Sequence, residues 1–146
     1  MSYWAEPIAT GDLDYVLGVD SDTEYMSAVF RIIGPESDGP ELEGHCLIFG
    51  DTPVQFFPSI TRPIYADALE NAAEKHIALP DGSTISTRVV RPEHLVLFGL
   101  ESWRGKDRLR IPMLAEVASD EEVWCLIKKF DDADGTYAKR YQSLTR

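Results

Sequence analysis

The sequence predicts a mixed α/β (α+β) fold: a small mixed sheet with flanking helices and a helical C-terminal part. Three observations carry that expectation. Short apolar, β-branched runs alternate with segments of helical period over residues 1–90. Over residues 91–146 the helical period takes over. The length, 146 residues, and an apolar share of 44% suit one globular domain spanning 1–146.

Each element has its own signal. Residues 13–19, Leu-Asp-Tyr-Val-Leu-Gly-Val, read as a strand. Asp20-Ser21-Asp22 reads as a helix N-cap. Met26, Val29, Phe30 and Ile33 then recur at i, i+3, i+4, i+7, and Gly34-Pro35 ends the helix. Residues 34–44 form a polar loop. Residues 45–57 read as a hairpin, with Gly50-Asp51-Thr52 at its turn. A helix is expected from about Ile64 to His76, a turn at Pro80-Asp81-Gly82 and a strand over Ile85–Val90. Pro92 suits the first turn of a helix carrying Leu95, Val96, Phe98, Leu100 and Trp103. Another helix begins near Lys106 with Pro112 inside it. Asp120 is expected to cap a helix with Val123, Trp124, Ile127 and Phe130. A short helix is expected around Ala138–Leu144.

Charge narrows the partners. The net charge is −11. It is uneven: residues 1–59 hold 11 acids and one base, Arg31, while residues 60–146 are nearly balanced. An acidic surface disfavours unspecific binding to nucleic acid or to an anionic membrane. No apolar run approaches the roughly 18 residues of a membrane span. The N-terminus lacks the basic start and apolar core of a secretion signal. Cys46 and Cys125 are far apart and read as reduced, partly buried thiols. A cytoplasmic protein is therefore expected. His45, His76 and His94 show no metal-ligand spacing, so no zinc site is expected.

The chemistry concentrates at Thr10-Gly11-Asp12-Leu13-Asp14. On a strand, residues i and i+2 share a face, so Asp12 and Asp14 aim their carboxylates side by side. Two neighbouring carboxylates repel unless a cation lies between them. Hard Mg²⁺ takes carboxylate oxygens together with substrate phosphates. Such a pair can equally be two solvated acids at a strand entry. Arg104, Lys106, Arg108 and Arg110 form the densest basic stretch, which reads either as a phosphate-binding face or as an exposed face paired with Glu101 and Asp107. Asp107 can also cap its helix. Trp103, Trp124, Phe98 and Phe130 read as helix core.

The stretch from Tyr3-Trp4-Ala5-Glu6-Pro7 through Thr10-Gly11-Asp12-Leu13-Asp14-Tyr15-Val16 resembles the segment around the catalytic motif of the nucleotidyltransferase superfamily, most nearly its AbiEii-type toxin-like branch. The resemblance runs on in order through the helix 22–33, the hairpin 45–57, Phe57-Pro58-Ser59 and Ala68-Leu69-Glu70-Asn71-Ala72. It continues through Val89-Val90-Arg91-Pro92-Glu93-His94-Leu95-Val96 and Trp103-Arg104-Gly105-Lys106-Asp107-Arg108, covering roughly residues 3–130. It implies a sheet of nucleotidyltransferase type and a toxin–antitoxin setting. It also implies that Asp12 and Asp14 hold Mg²⁺, while Thr10, Arg104 and Lys106 meet an NTP.

Three departures qualify the likeness. The family's Gly-Gly or Gly-Ser turn stands a dozen or so residues before the Asp pair, and this chain begins at Met1. The family's third carboxylate falls on Gln55, and a family lysine falls on Gly99. Mg²⁺ is therefore expected to bind weakly and only with a nucleotide. Two readings follow: a catalytically impaired protein that serves binding or assembly, or an active enzyme moving NMP from an NTP to an RNA or protein hydroxyl. The family strand and helix expected before Met1 leave a sheet edge to cover, so a homodimer involving Tyr3 and Trp4 is expected.

Overall fold

The structure, a computed structural model, describes residues 13–33, 41–43, 46–49, 51–78 and 81–144. These residues form two compact units, one up to Glu70 and one from Asn71 onward. Both sheets and helices are present, so the architecture is mixed α and β, as the sequence predicts.

The first unit begins with strand β1, Leu13–Leu17, and helix α1, Asp22–Ile33. The Ser21 hydroxyl accepts the Glu24 N–H at 3.2 Å, and the Glu24 carboxylate accepts the Asp20 N–H at 2.8 Å. This reciprocal capping starts the helix where the Asp-Ser-Asp signal suggests. Strand β2, Glu41–Glu43, follows, then β3, Cys46–Phe49, and β4, Thr52–Pro58. Strands β3 and β4 make the expected hairpin, with Phe49 opposite Thr52. Strand β2 corrects the polar-loop reading of residues 34–44. It is three residues long and pairs antiparallel with β3, so backbone hydrogen bonds to an available edge define it where no side-chain pattern does.

The four strands lie in the order β1-β4-β3-β2. Strands β1 and β4 are parallel, the other neighbours antiparallel. Val54 sits opposite Leu13 on one side and Leu47 on the other. Val19, Leu47, Val54, Ile64 and Ala68 are buried. The buried Ser59 hydroxyl accepts the Val19 N–H and donates to the Val19 carbonyl, both at 3.1 Å. This locks the exit of β1 to the turn Ser59–Thr61 after β4. Tyr25 on α1 donates its hydroxyl to the Phe56 carbonyl at 3.0 Å. Helix α2, Pro63–Glu70, ends the unit.

That helix is shorter than the sequence suggests. Residues Ala73–Ala78 are instead strand β5, paired antiparallel with β6, Thr84–Val89. The partner decides it: Thr84-Ile85-Ser86-Thr87-Arg88-Val89 offers a β-branched strand within hairpin reach, and tertiary pairing overrides helix propensity. The turn is chemically fixed. Asp81 accepts the Ser83 N–H at 2.9 Å and its hydroxyl at 2.6 Å, and Gly82 takes φ +83°.

Four helices complete the second unit: α3, Pro92–Ser102; α4, Gly105–Ala115; α5, Asp120–Phe130; and α6, Thr136–Leu144. Helix α3 is central, and the other three pack against it. Val96, Leu97 and Leu100 of α3 are buried with Ile111, Leu114, Val123, Ile127 and Tyr141. Ser119 rather than Asp120 caps α5, accepting the Glu122 N–H. Asp120 instead accepts the Tyr141 hydroxyl at 2.9 Å, and Trp124 meets Tyr141 edge-on at 5.4 Å. Trp103, Trp124, Phe98 and Phe130 are half-buried at the margin of this core. Cys125 is exposed, because Val123 and Ile127 take the inward face of α5.

Burial raises the Tyr141 phenol's pKa, and the Asp120 carboxylate raises it further. A raised acid contributes stability that is whole below the unfolded value, about 10, and is lost as pH climbs toward the folded one. Thermal unfolding should therefore fall off above about pH 10. In Tyr141→Phe that alkaline fall should flatten, while stability at neutral pH drops by about 1 kcal/mol. Calorimetry across pH 7–11 on both proteins checks this.

Candidate functional site

Strand β1 carries Asp14 and strand β4 carries Gln55. The parallel register makes these two residues direct partners. Partners in a parallel pair project to the same face, so the Asp14 carboxylate and the Gln55 amide share one side of the sheet. Asp14 is exposed and Gln55 is half-buried. Tyr15 and Phe56, one position on, project to the other face and stack at 5.7 Å. Thr10 and Asp12 lie outside the described residues, as do Tyr3 and Trp4.

The described residues bring one carboxylate and one neutral amide to this place. Among the described residues, no group of three or more His, Cys, Asp or Glu side chains is placed to hold a metal ion. A hard divalent ion takes six or more oxygens and favours charged ones. The one carboxylate and one amide described at this place meet only part of that demand.

The basic stretch divides its charges. Arg104 precedes α4 and is not on it. Its Nε donates to Asp107 Oδ2 at 2.8 Å, and its backbone N–H donates to the same oxygen at 3.1 Å. The Ser102 hydroxyl donates there too, at 2.7 Å. Asp107 is 6% exposed, so these donors gather on a buried charge. Asp107 thus caps α4 from its third position, as the sequence allows. Arg108 lies over the Trp103 ring at 6.0 Å. Lys106 is exposed on α4. A Cβ at Gly99 would lie 3.0 Å from Ile111 Cγ1, so the lysine that the likeness puts there would require the Ile111 side chain to shift.

Two features had no clear sequence signal. Arg140, in a charged tail, donates to the Leu100 carbonyl at 2.5 Å and to the Glu101 carbonyl at 3.2 Å. It closes the C-terminal end of α3 and stacks on Trp103 at 5.0 Å. Glu93, 4% exposed, accepts the Ser119 N–H at 3.0 Å and pairs with Arg91 at 3.3 Å. Arg91 also pairs with Glu122, so the starts of α3 and α5 are held by one charge network.

Burial alone would raise the Asp107 pKa, but the hydrogen bonds from Arg104 and Ser102 outweigh it and hold the carboxyl below the usual range. A lowered acid contributes stability that is present above the unfolded value, about 4, and lost as pH falls through the folded one. Asp107→Asn should cost about 1–3 kcal/mol at neutral pH and blunt the acid side of the stability curve. Denaturant titrations at pH 7 and pH 3 measure both.

Among the described residues, no helix is long and apolar enough to cross a membrane. The chain matches no protein-family model, and no curated protein matches it.

Proposed function

We propose that this chain is a nucleotidyltransferase-like protein, impaired in transfer, that serves binding and assembly. The observation that supports the reading is the register that sets Asp14 beside Gln55. The likeness puts a metal carboxylate at the first position and a third carboxylate at the second. In that chemistry the third carboxylate holds a second ion or takes the proton of the acceptor hydroxyl. An amide holds an ion more weakly than a carboxylate does and takes no proton. Gln55 offers a neutral oxygen to an ion and no basic atom to a proton. Arg104 is engaged by Asp107, which draws its charge away from an NTP phosphate and supports the impaired reading. The assembly half of the reading is a homodimer, and the localisation that goes with it is cytoplasmic.

The alternative is Mg²⁺-dependent transfer of NMP to an RNA or protein hydroxyl, as by the toxin of a toxin–antitoxin pair. What favours it is the exposed Asp14 on β1, two residues after Asp12 in sequence. The two readings part in a labelling assay with radioactive NTP, Mg²⁺ and tRNA or the chain itself as acceptor. Wild type should label no better than Asp14→Ala. Gln55→Asp should raise labelling, by up to about the 10²–10³-fold that one electrostatic group supplies. Robust labelling by wild type that Asp14→Ala abolishes would establish the alternative.

A further inference from the structure

Helix α1 leaves an apolar flank uncovered. Its half-buried side chains are Tyr25, Ala28 and Val29, and Tyr25 reaches the Phe56 carbonyl on the sheet. Met26 and Phe30 lie about a third of a turn round the helix from these three. Phe30 is 64% exposed and Met26 is 47% exposed. They stand four residues apart, so they form one ridge. Asp22, four residues before Met26, is exposed and heads the same ridge, and Asp20 is exposed just before the helix. Among the described residues, neither the Asp20 nor the Asp22 carboxylate has a hydrogen bond or an ion pair. Arg31 lies about 140° round the helix from Met26, and it donates to the Ser27 carbonyl at 3.3 Å. The ridge therefore has acids at its head and no base along it.

Shape and charge together select what fits this flank. At 1.5 Å per residue, Asp22 to Phe30 spans roughly 12 Å, just over two turns. A second helix with apolar residues at i, i+3, i+4 and i+7 lays one row along such a ridge, its side chains set into the grooves of α1. Methionine beside an aromatic ring adapts to the side chains that arrive. The charge fixes the sign of the partner. Residues 1–59 hold 11 acids against one base. That field draws a cationic partner and repels an anionic one. An anionic lipid surface is repelled, and a second copy seated through the same flank would set acid on acid. A helix rich in Lys and Arg meets Asp20 and Asp22 at one end of its apolar row, and complementary charge at the rim sets its orientation.

We infer that the Met26–Phe30 flank of α1 docks a basic amphipathic helix of a partner protein. Its apolar row lies on Met26 and Phe30, and its cations meet Asp20 and Asp22. The inference rests on the binding half of the proposed function, and gives it a surface and a class of partner. It requires nothing of nucleotide transfer.

The probe is a fluorescein-labelled peptide of Leu and Lys, about 18 residues long so that it forms a helix on contact, with every Leu on one face. Titrated with the full chain and followed by anisotropy, it should bind in the micromolar range and weaken with added salt. A scrambled peptide of the same composition has no apolar face and should bind at least about tenfold more weakly. Phe30→Asp is the deciding variant. It adds an acid, so attraction by charge alone would strengthen, whereas loss of the apolar contact should weaken binding at least about tenfold. Phe30→Ser removes the ring without adding charge and should weaken binding as well. Circular dichroism and melting confirm that each variant is folded. Asp20→Asn with Asp22→Asn should weaken binding by about threefold to tenfold at low salt, and less at high salt. Leu109→Asp, at an exposed apolar side chain of α4, should bind at least as tightly as wild type. A wild type that leaves the peptide free at high micromolar concentration overturns the inference. So does equal binding of the scrambled peptide, or equal binding by Phe30→Asp, since charge alone then suffices. A wild type whose self-association is abolished by Phe30→Asp makes a second copy the occupant and overturns the class of partner. None of these outcomes bears on the labelling assay, which tests impaired transfer by itself.

Discussion

The parallel pairing of β1 with β4 is the constraint on which the first unit depends. Parallel neighbours cannot be joined by a tight turn. The chain must leave one end of the sheet and return to the other through a connection of a dozen residues or more. Here that connection contains α1 and the two strands β2 and β3. Because β4 has already paired with β3 as a hairpin, its other edge alone is left for β1. Ser59 then fastens the end of β1 to the residue after β4 through two hydrogen bonds. A slip of one residue in this register would turn Val54 out of the core and separate Asp14 from Gln55. The same register therefore fixes the packing and the candidate site.

The second unit solves a different problem. Four short helices leave many terminal N–H and C=O groups to satisfy. The solutions are charged side chains placed at helix ends. Asp107 serves the start of α4, Glu93 reaches the start of α5, and Arg140 serves the end of α3. At the start of α6, the Asp131 carboxylate accepts the Tyr137 and Ala138 N–H groups at 2.7 and 3.0 Å. Each of these charges does a structural task, and each is thereby less available to a ligand. That is why the basic stretch at 104–110, dense in sequence, is divided in space. Arg104 is held by Asp107, Arg108 lies on Trp103, and Lys106 is exposed.

What was legible in the sequence follows from the range of the interactions that decide it. The hairpin 45–57, the cap at Ser21, the helix beginning at Pro92 and the capping role of Asp107 depend on neighbours within a few residues. All are readable as pattern. Strand β5 was not, because Ala73–Ala78 has no β signature of its own and becomes a strand only by pairing with β6. Strand β2 depends in the same way on β3. Asp120 and Ser119 compete as cap residues one position apart. Tyr141, 21 residues on, engages Asp120, and Ser119 is the cap. The role of Arg140 needed the same long-range information, forty residues away at Leu100. For the candidate site, the residue types were legible and their juxtaposition was not. Gln55 could be marked as an amide where the likeness puts an acid, but its place beside Asp14 is a fact of strand pairing.

That juxtaposition sharpens what one substitution can mean. Glutamine differs from glutamate at a single terminal atom, so the backbone, the register and the packing of β4 need not change. What changes is charge. Two carboxylates facing each other on adjacent strands repel and need a cation between them to be stable. A carboxylate facing an amide carries no such demand, since the amide NH₂ is a donor to the acid. A sheet with Asp14 beside Gln55 can therefore be stable without a metal, whereas the same sheet with an acid at position 55 would gain from one. The arrangement that weakens the case for transfer is thus also the one that lets this face persist as a plain protein surface.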